Sequence, residues 1–146
     1  MTLENKELLL KDICARLPYG PMLNIIYNEF TNESFNARIS TVDYCGEIKV
    51  RYGYEEYEQV YSLEQIKPYL FPLSSMTEEQ KIEIRYLCDG TEIFDDGGWM
   101  SYISILGSFN FEINLSVVDW LYKNHIDIYG LIPKGLAIDA TGLNIY

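Results

Sequence analysis

The sequence has little positive charge. Eleven Lys and Arg residues stand against 22 Asp and Glu residues, which gives the 146-residue chain a formal net charge of -11. Affinity for nucleic-acid phosphates and anionic lipid headgroups comes mainly from lysine and arginine, and a polyanion is repelled by both. We therefore expect neither a direct nucleic-acid partner nor a membrane partner. An acidic surface can instead attract basic proteins and imitate a phosphate backbone, although its simplest role is to keep the chain soluble.

Cysteines are also few, and no hydrophobic run is long. The three cysteines, Cys14, Cys45 and Cys88, are odd in number and far apart, which fits neither a disulfide framework nor a CxxC metal pair. No apolar run approaches the roughly 20 residues that cross a bilayer, and the first residues are acidic where a signal peptide is basic. These absences predict reduced thiols and a cytoplasmic location.

Signatures of catalysis and of cofactor binding are missing from the sequence. It contains no GxSxG turn, P-loop, GxGxxG motif or calcium-loop pattern. The acidic residues of segment 89–96 are too few to surround a hard cation, and the run DDGG at 95–98 is typical of a tight hairpin turn. The sequence therefore predicts no catalytic residue, no metal and no cofactor.

The patterns that are present predict an α+β fold in a single compact domain over residues 1–146. Apolar residues at helical spacing predict an N-terminal helix over residues 3–17, which ends at Pro18. The residues expected on its buried face are Leu3, Leu9, Leu10, Ile13, Cys14 and Leu17. From residue 22 the period changes to two, which predicts antiparallel strands in a small sheet or a partly open barrel. The predicted strands span residues 22–30, 36–44, 47–54 and 58–62.

In the middle of the chain, the sequence pattern predicts a connector and a second helix. The connector, residues 63–75, contains one helical turn and two prolines, Pro68 and Pro72, that hold an extended path across the core. The middle helix begins at Thr77, because the run TEEQ has the form of a capping box, and it ends near residue 88. The residues expected to face inward are Ile82, Ile84, Tyr86 and Leu87.

A β-hairpin, a C-terminal helix and an ordered tail complete the predicted fold. Residues 91–106 are expected to pair around the glycine-rich turn, and residues 109–113 alternate as in a further strand. The last helix is expected over residues 116–124, with the Trp120 ring docked on the core.

His125 is the only histidine in the sequence. A histidine near Asp119, Asp127 or Asp139 could act as a general base, but no nucleophile motif accompanies it. The end of a helix also favours histidine for structural reasons, because an imidazolium meets the negative end of the helix dipole. The sequence favours this structural role, in which segment 119–139 closes the domain.

Tyrosine is abundant, with 13 in the chain, and several cluster between glutamates in the run GYEEYEQVY. Acidic neighbours suit a protein partner or a cationic ligand better than nucleic-acid bases, although the sequence favours packing of Tyr52 and Tyr54 in the core over either. The residues predicted to bind a ligand or partner are Tyr52, Tyr54, Tyr57, Tyr61, Trp99, Trp120, His125, Arg38 and Arg51.

Three blocks of sequence resemble a known family. KDICARLPYG at 11–20, KPYLFPLSSMTEEQ at 67–80 and DWLYKNHIDIYGLIPKGLAID at 119–139 are similar to small uncharacterised proteins encoded in gut Bacteroidales genomes and their phages or mobile elements. The resemblance implies no activity and no site residues. It favours an accessory protein that acts by binding, such as a phage counter-defence or host-takeover factor.

Together these features predict a non-enzymatic, acidic binding protein that modulates a host protein. One alternative is a counter-defence protein that sequesters a small nucleotide-type signal in an aromatic pocket. This alternative requires clustered cations, and the candidates are Arg38, Lys49, Arg51, Lys123 and Lys134. A second alternative is a small hydrolase centred on His125. The sequence leaves a homo-oligomer open.

Overall fold

The computed structural model describes residues 1–28, 33–43, 47–51, 58–87 and 111–146. This part of the chain is α+β, as predicted, with three α-helices and a six-stranded sheet. In chain order the elements are α1 (Leu3–Arg16), β1 (Met22–Asn28), β2 (Glu33–Val42), β3 (Ile48–Arg51), β4 (Glu58–Tyr61), β5 (Ile66–Leu70), α2 (Glu78–Leu87), α3 (Phe111–Lys123) and β6 (Ile138–Asp139). Short 3-10 turns lie at Leu17–Tyr19, Leu63–Gln65 and Leu73–Ser75. The hairpin predicted over residues 91–106 lies outside the described residues.

The sheet is open and mixed, with the strand order β4-β3-β2-β1-β5-β6. Neighbouring strands from β4 to β5 are antiparallel, as predicted, whereas β6 is parallel to β5. Of the two predicted forms, a small sheet or a partly open barrel, the structure has the open sheet: β4 and β6 lie at opposite ends of the strand order, so the sheet is not closed. The pairing of β6 brings the C-terminal tail beside Tyr69 and Leu70 of β5.

One face of α1 packs against the sheet. Its buried residues, Leu9, Asp12, Ile13 and Arg16, follow the i, i+3, i+4, i+7 spacing of a single helix face. The prediction that Leu3 and Cys14 belong to this face is wrong, since both are exposed. A charged pair, Asp12 and Arg16, continues the buried stripe in their place.

The main hydrophobic core lies between α1 and one face of the sheet. Alternation along β1 places Leu23 and Ile25 in this core and Asn24 on the opposite face. The other buried residues of the core are Leu9, Ile13, Ala37, Ile39, Ile48, Val50, Tyr61, Ile66, Leu70, Leu131 and Ala137. The predicted path of the connector is confirmed, because Pro68 and Leu70 are buried in an extended strand.

A second apolar cluster joins α2 to α3. It contains Leu73, Met76, Ile84, Val117, Leu121 and Ile126. The predicted capping box is confirmed: the N–H of Gln80 donates to Thr77 Oγ1 at 3.2 Å, and the N–H of Thr77 donates to Gln80 Oε1 at 2.9 Å. Ile84 is buried as predicted. The predicted inward orientation of Ile82 and Tyr86 is wrong, since their side chains are 47% and 81% exposed. The physical reason is that α2 contacts the second cluster through a narrow stripe at Ile84.

The third helix, α3, begins at Phe111 rather than at Ser116. The strand predicted over residues 109–113 is therefore wrong from Phe111 onward. The alternation of apolar residues in segment 109–113 is so short that it fits a helix as well as a strand. The spacing of Val117 and Leu121, both buried in the second cluster, favours the helix.

Candidate functional site

A buried ion pair joins α1 to the end of α3. Arg16 donates from Nε and Nη2 to the two carboxylate oxygens of Asp12, each at 2.8 Å, and both side chains are fully buried. Arg16 also donates to the backbone carbonyls of Ile126 at 2.7 Å and Tyr122 at 3.4 Å. Tyr122 lies in the last turn of α3, and Ile126 lies three residues beyond its end. Arg16 therefore ties α1 to the end of α3 and to the chain that follows it.

Burial of this pair is tolerated because each charge has hydrogen-bonded partners. Burial raises the pKa of the Asp12 carboxyl, and the hydrogen bonds and positive charge of Arg16 oppose that rise. The Arg16 guanidinium also lies over the Tyr122 ring, 5.0 Å from its centroid. These contacts fix the backbone on both sides of His125.

The backbone of His125 ends α3 in a left-handed conformation, with φ of 55°. Its N–H donates to the carbonyl of Tyr122 at 3.1 Å, and the N–H of Ile126 donates to the carbonyl of Leu121 at 2.9 Å. These two bonds form a Schellman motif, whose left-handed position is usually glycine because a Cβ atom there costs about 1–2 kcal/mol. His125 thus caps the helix, as predicted, through its backbone.

The imidazole of His125 is buried and neutral. It is 7% exposed and stacks on the Tyr146 ring, with centroids 3.9 Å apart and planes 12° from parallel. Its Nδ1 is buried without a hydrogen-bond partner among the described residues. Burial, and then the positive charges of Arg16 and Arg38, lower the pKa of His125 to about 4. The prediction that an imidazolium meets the helix dipole is therefore wrong, since the ring is uncharged at neutral pH.

Tyr146 holds the imidazole in place. Its hydroxyl donates to the carbonyl of Tyr69 at 2.7 Å and accepts from the N–H of Met22 at 3.4 Å, which ties it to β5 and β1. Phe71 contacts the same ring, with centroids 5.9 Å apart. Burial raises the pKa of Tyr146 to about 12, so its hydroxyl stays protonated and keeps its bond to Tyr69.

His125 lines an open cleft of about 450 Å³, which we call the His125 cleft. The lining residues are Phe71, Ser75, Thr77, Gln80, Lys123, Asn124, His125, Ile126 and Tyr146. Small-molecule sites have volumes of roughly 300–1,000 Å³. Lys123 is the one charged side chain among these described lining residues. The other polar side chains of the lining are uncharged hydroxyl, amide and imidazole groups.

The polar side chains of the cleft are partly engaged with the backbone. Ser75 Oγ donates to a backbone carbonyl at 2.7 Å, and Thr77 Oγ1 accepts from a backbone N–H at 3.2 Å. Within the described residues neither hydroxyl bonds to His125, so neither is activated as a nucleophile. Gln80 and Asn124 each use one end of the side-chain amide for a backbone bond, and within the described part of the chain the other end has no hydrogen bond.

The carboxylates expected near His125 are engaged elsewhere. Asp127 is buried and accepts from two backbone N–H groups at 2.8 and 2.9 Å. Asp119 accepts from the hydroxyl of Tyr19, and Asp139 accepts from a backbone N–H at 2.8 Å. In the described part of the chain, Nδ1 of His125 thus has no carboxylate to orient it for catalysis.

Several residues predicted from the sequence lie away from the cleft. Tyr61 is buried in the main core and donates to Gln59 Oε1 at 2.6 Å. Trp120 links α3 to α2 by donating from Nε1 to Glu83 at 3.1 Å. Tyr52, Tyr54, Tyr57 and Trp99 lie outside the described residues, as does the side chain of Arg51.

One of the candidate cations lines the cleft. It is Lys123, whereas Arg38 is exposed on β2 and is not among the described lining residues. Lys49 lies on β3, and Lys134 donates to a backbone carbonyl in the C-terminal tail at 3.1 Å. Among the described residues, these cations do not converge on the His125 cleft.

Three residues that build the site, Asp12, Arg16 and Tyr146, are absent from the sequence-based prediction. A signal existed for the first two, because they are spaced by four and fall on the stripe of Leu9 and Ile13. Tyr146 has no local signal, since its contacts are with residues far away in the chain.

The described residues contain no group of three or more His, Cys, Asp or Glu side chains that could hold a metal ion. Among the same residues, no helix combines the length and the apolar character needed to cross a membrane.

Compared with protein-family models, curated proteins and solved structures, the chain has no match. The geometry of the His125 cleft is therefore the basis for a proposed function.

Proposed function

We propose that the protein is a non-enzymatic binding protein that holds a small ligand in the His125 cleft. The observation that carries this proposal is the open cleft of about 450 Å³ that His125 lines. Nδ1 of His125 is buried without a hydrogen-bond partner in the described part of the chain, which costs about 1–3 kcal/mol, and the left-handed backbone of the same residue costs about 1–2 kcal/mol. Two unfavourable features at one residue beside a cleft are typical of a functional site.

The cleft is also preorganised for a ligand. The Tyr146 ring and the backbone around Ile126 hold the imidazole, so it lines the cleft in a fixed orientation. Phe71 and Ile126 supply apolar walls, and Gln80 and Lys123 supply polar groups. Apolar walls with a few placed polar groups are typical of small-molecule sites.

The biological setting is part of the proposal. The resemblance to proteins of gut Bacteroidales phages and mobile elements supports an accessory factor that acts in the host cytoplasm. Two of the resembling blocks, 67–80 and 119–139, supply every lining residue of the cleft except Tyr146, and block 11–20 supplies Arg16. A counter-defence protein that sequesters a small signal fits this distribution.

A fragment screen followed by NMR tests the proposal. The imidazole nitrogen resonances of ¹⁵N-labelled protein report on the cleft directly, because His125 is the only histidine. We expect some fragments of a diverse library to shift these resonances. Binding measured by calorimetry should be lost in His125→Asn, which tolerates a left-handed backbone, and unchanged in Lys49→Gln on β3. The proposal fails if no fragment perturbs the imidazole.

A protein partner is the second candidate, and the surface charge favours it. Three cations of α1 and α2 are engaged within the molecule: Arg16 is buried with its carboxylate, Lys6 pairs with Glu64, and Lys81 pairs with Glu78 at 2.6 Å. Other carboxylates of these helices can attract a basic host protein by imitating nucleic acid. A pull-down from host lysate should recover a partner that is lost at high salt, and recovery of none in any lysate counts against this candidate.

A hydrolase centred on His125 is the third candidate, and no observation favours it. The described residues offer the imidazole neither an activated hydroxyl nor a carboxylate. A pKa of about 4 also makes His125 a weak base at neutral pH. The hydrolase candidate would be supported if the protein hydrolysed a substrate and His125→Ala lost that activity while keeping its fold.

A further inference from the structure

A second cleft lies on the sheet, and we call it the aromatic cleft. Its volume is about 450 Å³, within the roughly 300–1,000 Å³ of small-molecule sites. The described residues that line it are Tyr27 of β1, Phe35 of β2, and Gln59 and Tyr61 of β4. None of these four residues lines the His125 cleft, so the two clefts are separate.

A curl of the sheet brings these side chains together. Phe35 pairs with Ile25 of β1 and packs against the main core. The strand β4 lies two places away from β2 in the sheet, yet the ring centroids of Phe35 and Tyr61 are 6.1 Å apart. Ile25 is fully buried, whereas Tyr27, two residues further along β1, is 54% exposed. The aromatic cleft therefore lies where the core face of the sheet reaches solvent.

Three aromatic rings form the walls of this cleft. The Phe35 ring contacts the other two, with centroids 6.0 Å from Tyr27 and 6.1 Å from Tyr61. The ring planes are inclined by 48° and 66°, so the rings are not stacked flat on one another. The Tyr61 hydroxyl donates to Gln59 Oε1 at 2.6 Å, which fixes the most buried of the three rings. The face of an aromatic ring attracts a cation that lies within about 6 Å of its centroid.

The charge around the aromatic cleft is negative. The carboxylate of Glu33, at the start of β2, accepts a hydrogen bond from the Tyr27 hydroxyl. Desolvation, and then the charge and this hydrogen bond of Glu33, raise the pKa of Tyr27. The stretches of sequence that hold the lining residues, 27–35 and 52–61, contain five glutamates and no Lys or Arg. A cation is therefore attracted both by the rings and by the surrounding charge.

We infer that the aromatic cleft binds a methylated ammonium group against the Tyr27 and Phe35 rings, with the Glu33 carboxylate beside it. A quaternary ammonium is a cation that aromatic side chains recognise well. The unmodified ammonium of lysine is more strongly hydrated, so it loses more on leaving water. Free small molecules and methylated lysine side chains both carry the methylated group, and the experiment distinguishes these two sources. The inference does not depend on the proposed function, because the His125 cleft is a different site.

Choline and 3,3-dimethylbutan-1-ol are the matched probes. They have the same shape, and the charged nitrogen of choline is replaced by a neutral carbon in the alcohol. Titrations at constant ionic strength are followed by NMR of protein with ¹³C-labelled Tyr and Phe rings. We expect choline to bind at least about fivefold more tightly than the alcohol, because only choline gains the attraction between a cation and the rings.

A short peptide with one trimethyllysine distinguishes the two sources. Tighter binding of this peptide than of choline assigns the site to a protein side chain, and equal or weaker binding assigns it to a free small molecule. The same peptide with unmodified lysine should bind more weakly than the trimethylated one, because its ammonium is more strongly hydrated.

Two variants with matched controls assign the binding to named groups. Tyr27→Leu, at an exposed position, should lower the preference for choline over the alcohol at least about twofold, because it removes one ring. Tyr86→Leu, exposed on α2, should leave the preference unchanged. Glu33→Gln should weaken the binding of choline and not that of the alcohol, whereas Glu83→Gln on α2, which makes the same change in net charge, should alter neither. Circular dichroism of each variant verifies that the fold is retained.

The inference is overturned if the two probes bind equally, or if the preference for choline is the same in Tyr27→Leu as in the wild type. Ring resonances of Tyr27, Phe35 and Tyr61 that no probe shifts would also overturn it. None of these results bears on the His125 cleft, whose ligand is detected through the imidazole.

Discussion

Arg16 makes four hydrogen bonds, two to Asp12 and two to backbone carbonyls at the end of α3. We expect Arg16→Met to lower the free energy of unfolding by about 3–5 kcal/mol, because it leaves the Asp12 carboxylate buried without its partner. Urea unfolding followed by circular dichroism measures the loss. A loss below about 1 kcal/mol, typical of surface pairs, would contradict the burial of this pair.

The double variant Asp12→Leu/Arg16→Met is the control for this prediction. It removes both charges, so it should recover part of the stability lost in Arg16→Met. Recovery should be incomplete, because the carbonyls of Tyr122 and Ile126 still lack the donor that Arg16 provides. Complete recovery would show that the bonds to these carbonyls contribute little.

His125 makes the stability of the protein depend on pH. Its pKa is about 4 in the folded protein against an ordinary value of 6.5, so between these values the unfolded chain binds a proton that the folded protein does not. The contribution of His125 to the free energy of unfolding is therefore complete above pH 6.5 and falls as the pH is lowered to about 4. We expect a decrease of about 1–3 kcal/mol, measured by urea unfolding at stepped pH values.

His125→Asn isolates this effect from that of Asp12. Asp12 has a raised pKa, so the folded protein binds its proton more readily and acid stabilises it, which is the opposite direction. The difference in stability between the wild type and His125→Asn should shrink or change sign towards acid pH. An NMR titration that gives the imidazole a pKa near 6.5 would contradict its burial.

The end of α3 depends on the left-handed backbone of His125. Glycine adopts this conformation without strain, whereas the Cβ atom of alanine does not fit it well. We therefore expect His125→Gly to have a free energy of unfolding about 1 kcal/mol higher than His125→Ala. Both variants lose the same imidazole, so the difference between them in urea unfolding reports on the backbone.

Glu83, exposed in the interior of α2, provides the reference position. In a helix interior glycine is less stable than alanine by about 1 kcal/mol. Glu83→Gly should therefore be less stable than Glu83→Ala, the reverse of the order at His125. The same order at both positions would argue against the Schellman motif at the end of α3.

Elements with local signals could be predicted from the sequence. The start of α2 at Thr77 depends on residues three apart, and the strands between Met22 and Tyr61 depend on a period of two. The start of α3 could not be predicted, because Phe111 and Ile113 fit either period and the packing of α3 against Ile84 decides between them. Local patterns therefore identified the elements better than their boundaries.

The His125 cleft could not be predicted as a site, because its walls come from four parts of the chain. The connector supplies Phe71, the start of α2 supplies Thr77, the end of α3 supplies Lys123, and the tail supplies Tyr146. A two-residue pairing of β6 with β5 positions the tail, and a single bridge between Phe71 and Ile126 holds the end of α3 beside the connector. Neither contact has a local sequence pattern. His125 can be identified as a candidate because it is the only histidine in the sequence. Its stacking partner, Tyr146, is one of 13 tyrosines, so the sequence does not distinguish it from the others.

The whole molecule carries a formal net charge of -11, so its negative side chains repel one another in the compact state. Raising NaCl from about 10 to about 150 mM shortens the Debye length from about 30 to about 8 Å. We therefore expect the Tm to rise by about 2–4 °C over this range, which corresponds to about 1 kcal/mol for a chain of this size. Differential scanning fluorimetry in matched buffers measures the change.

The buried pair serves as the internal control for the salt experiment. Salt screens buried charges weakly, so Arg16→Met should show the same rise in Tm from its lower starting value. A fall in Tm with added salt would show that surface ion pairs such as Lys6 with Glu64 outweigh the net repulsion.

Arg16 is translated 106 residues before Tyr122 and 110 residues before Ile126. The nascent α1 therefore leaves the ribosome long before the carbonyls that Arg16 contacts have been synthesised. During that interval Asp12 and Arg16, one helical turn apart, can pair with each other and keep the unfinished face of α1 hydrated. The contact between α1 and the end of α3 is thus among the last to form. A ribosome stalled before residue 122 would release a chain in which Arg16 lacks both of the carbonyls that it contacts in the complete fold.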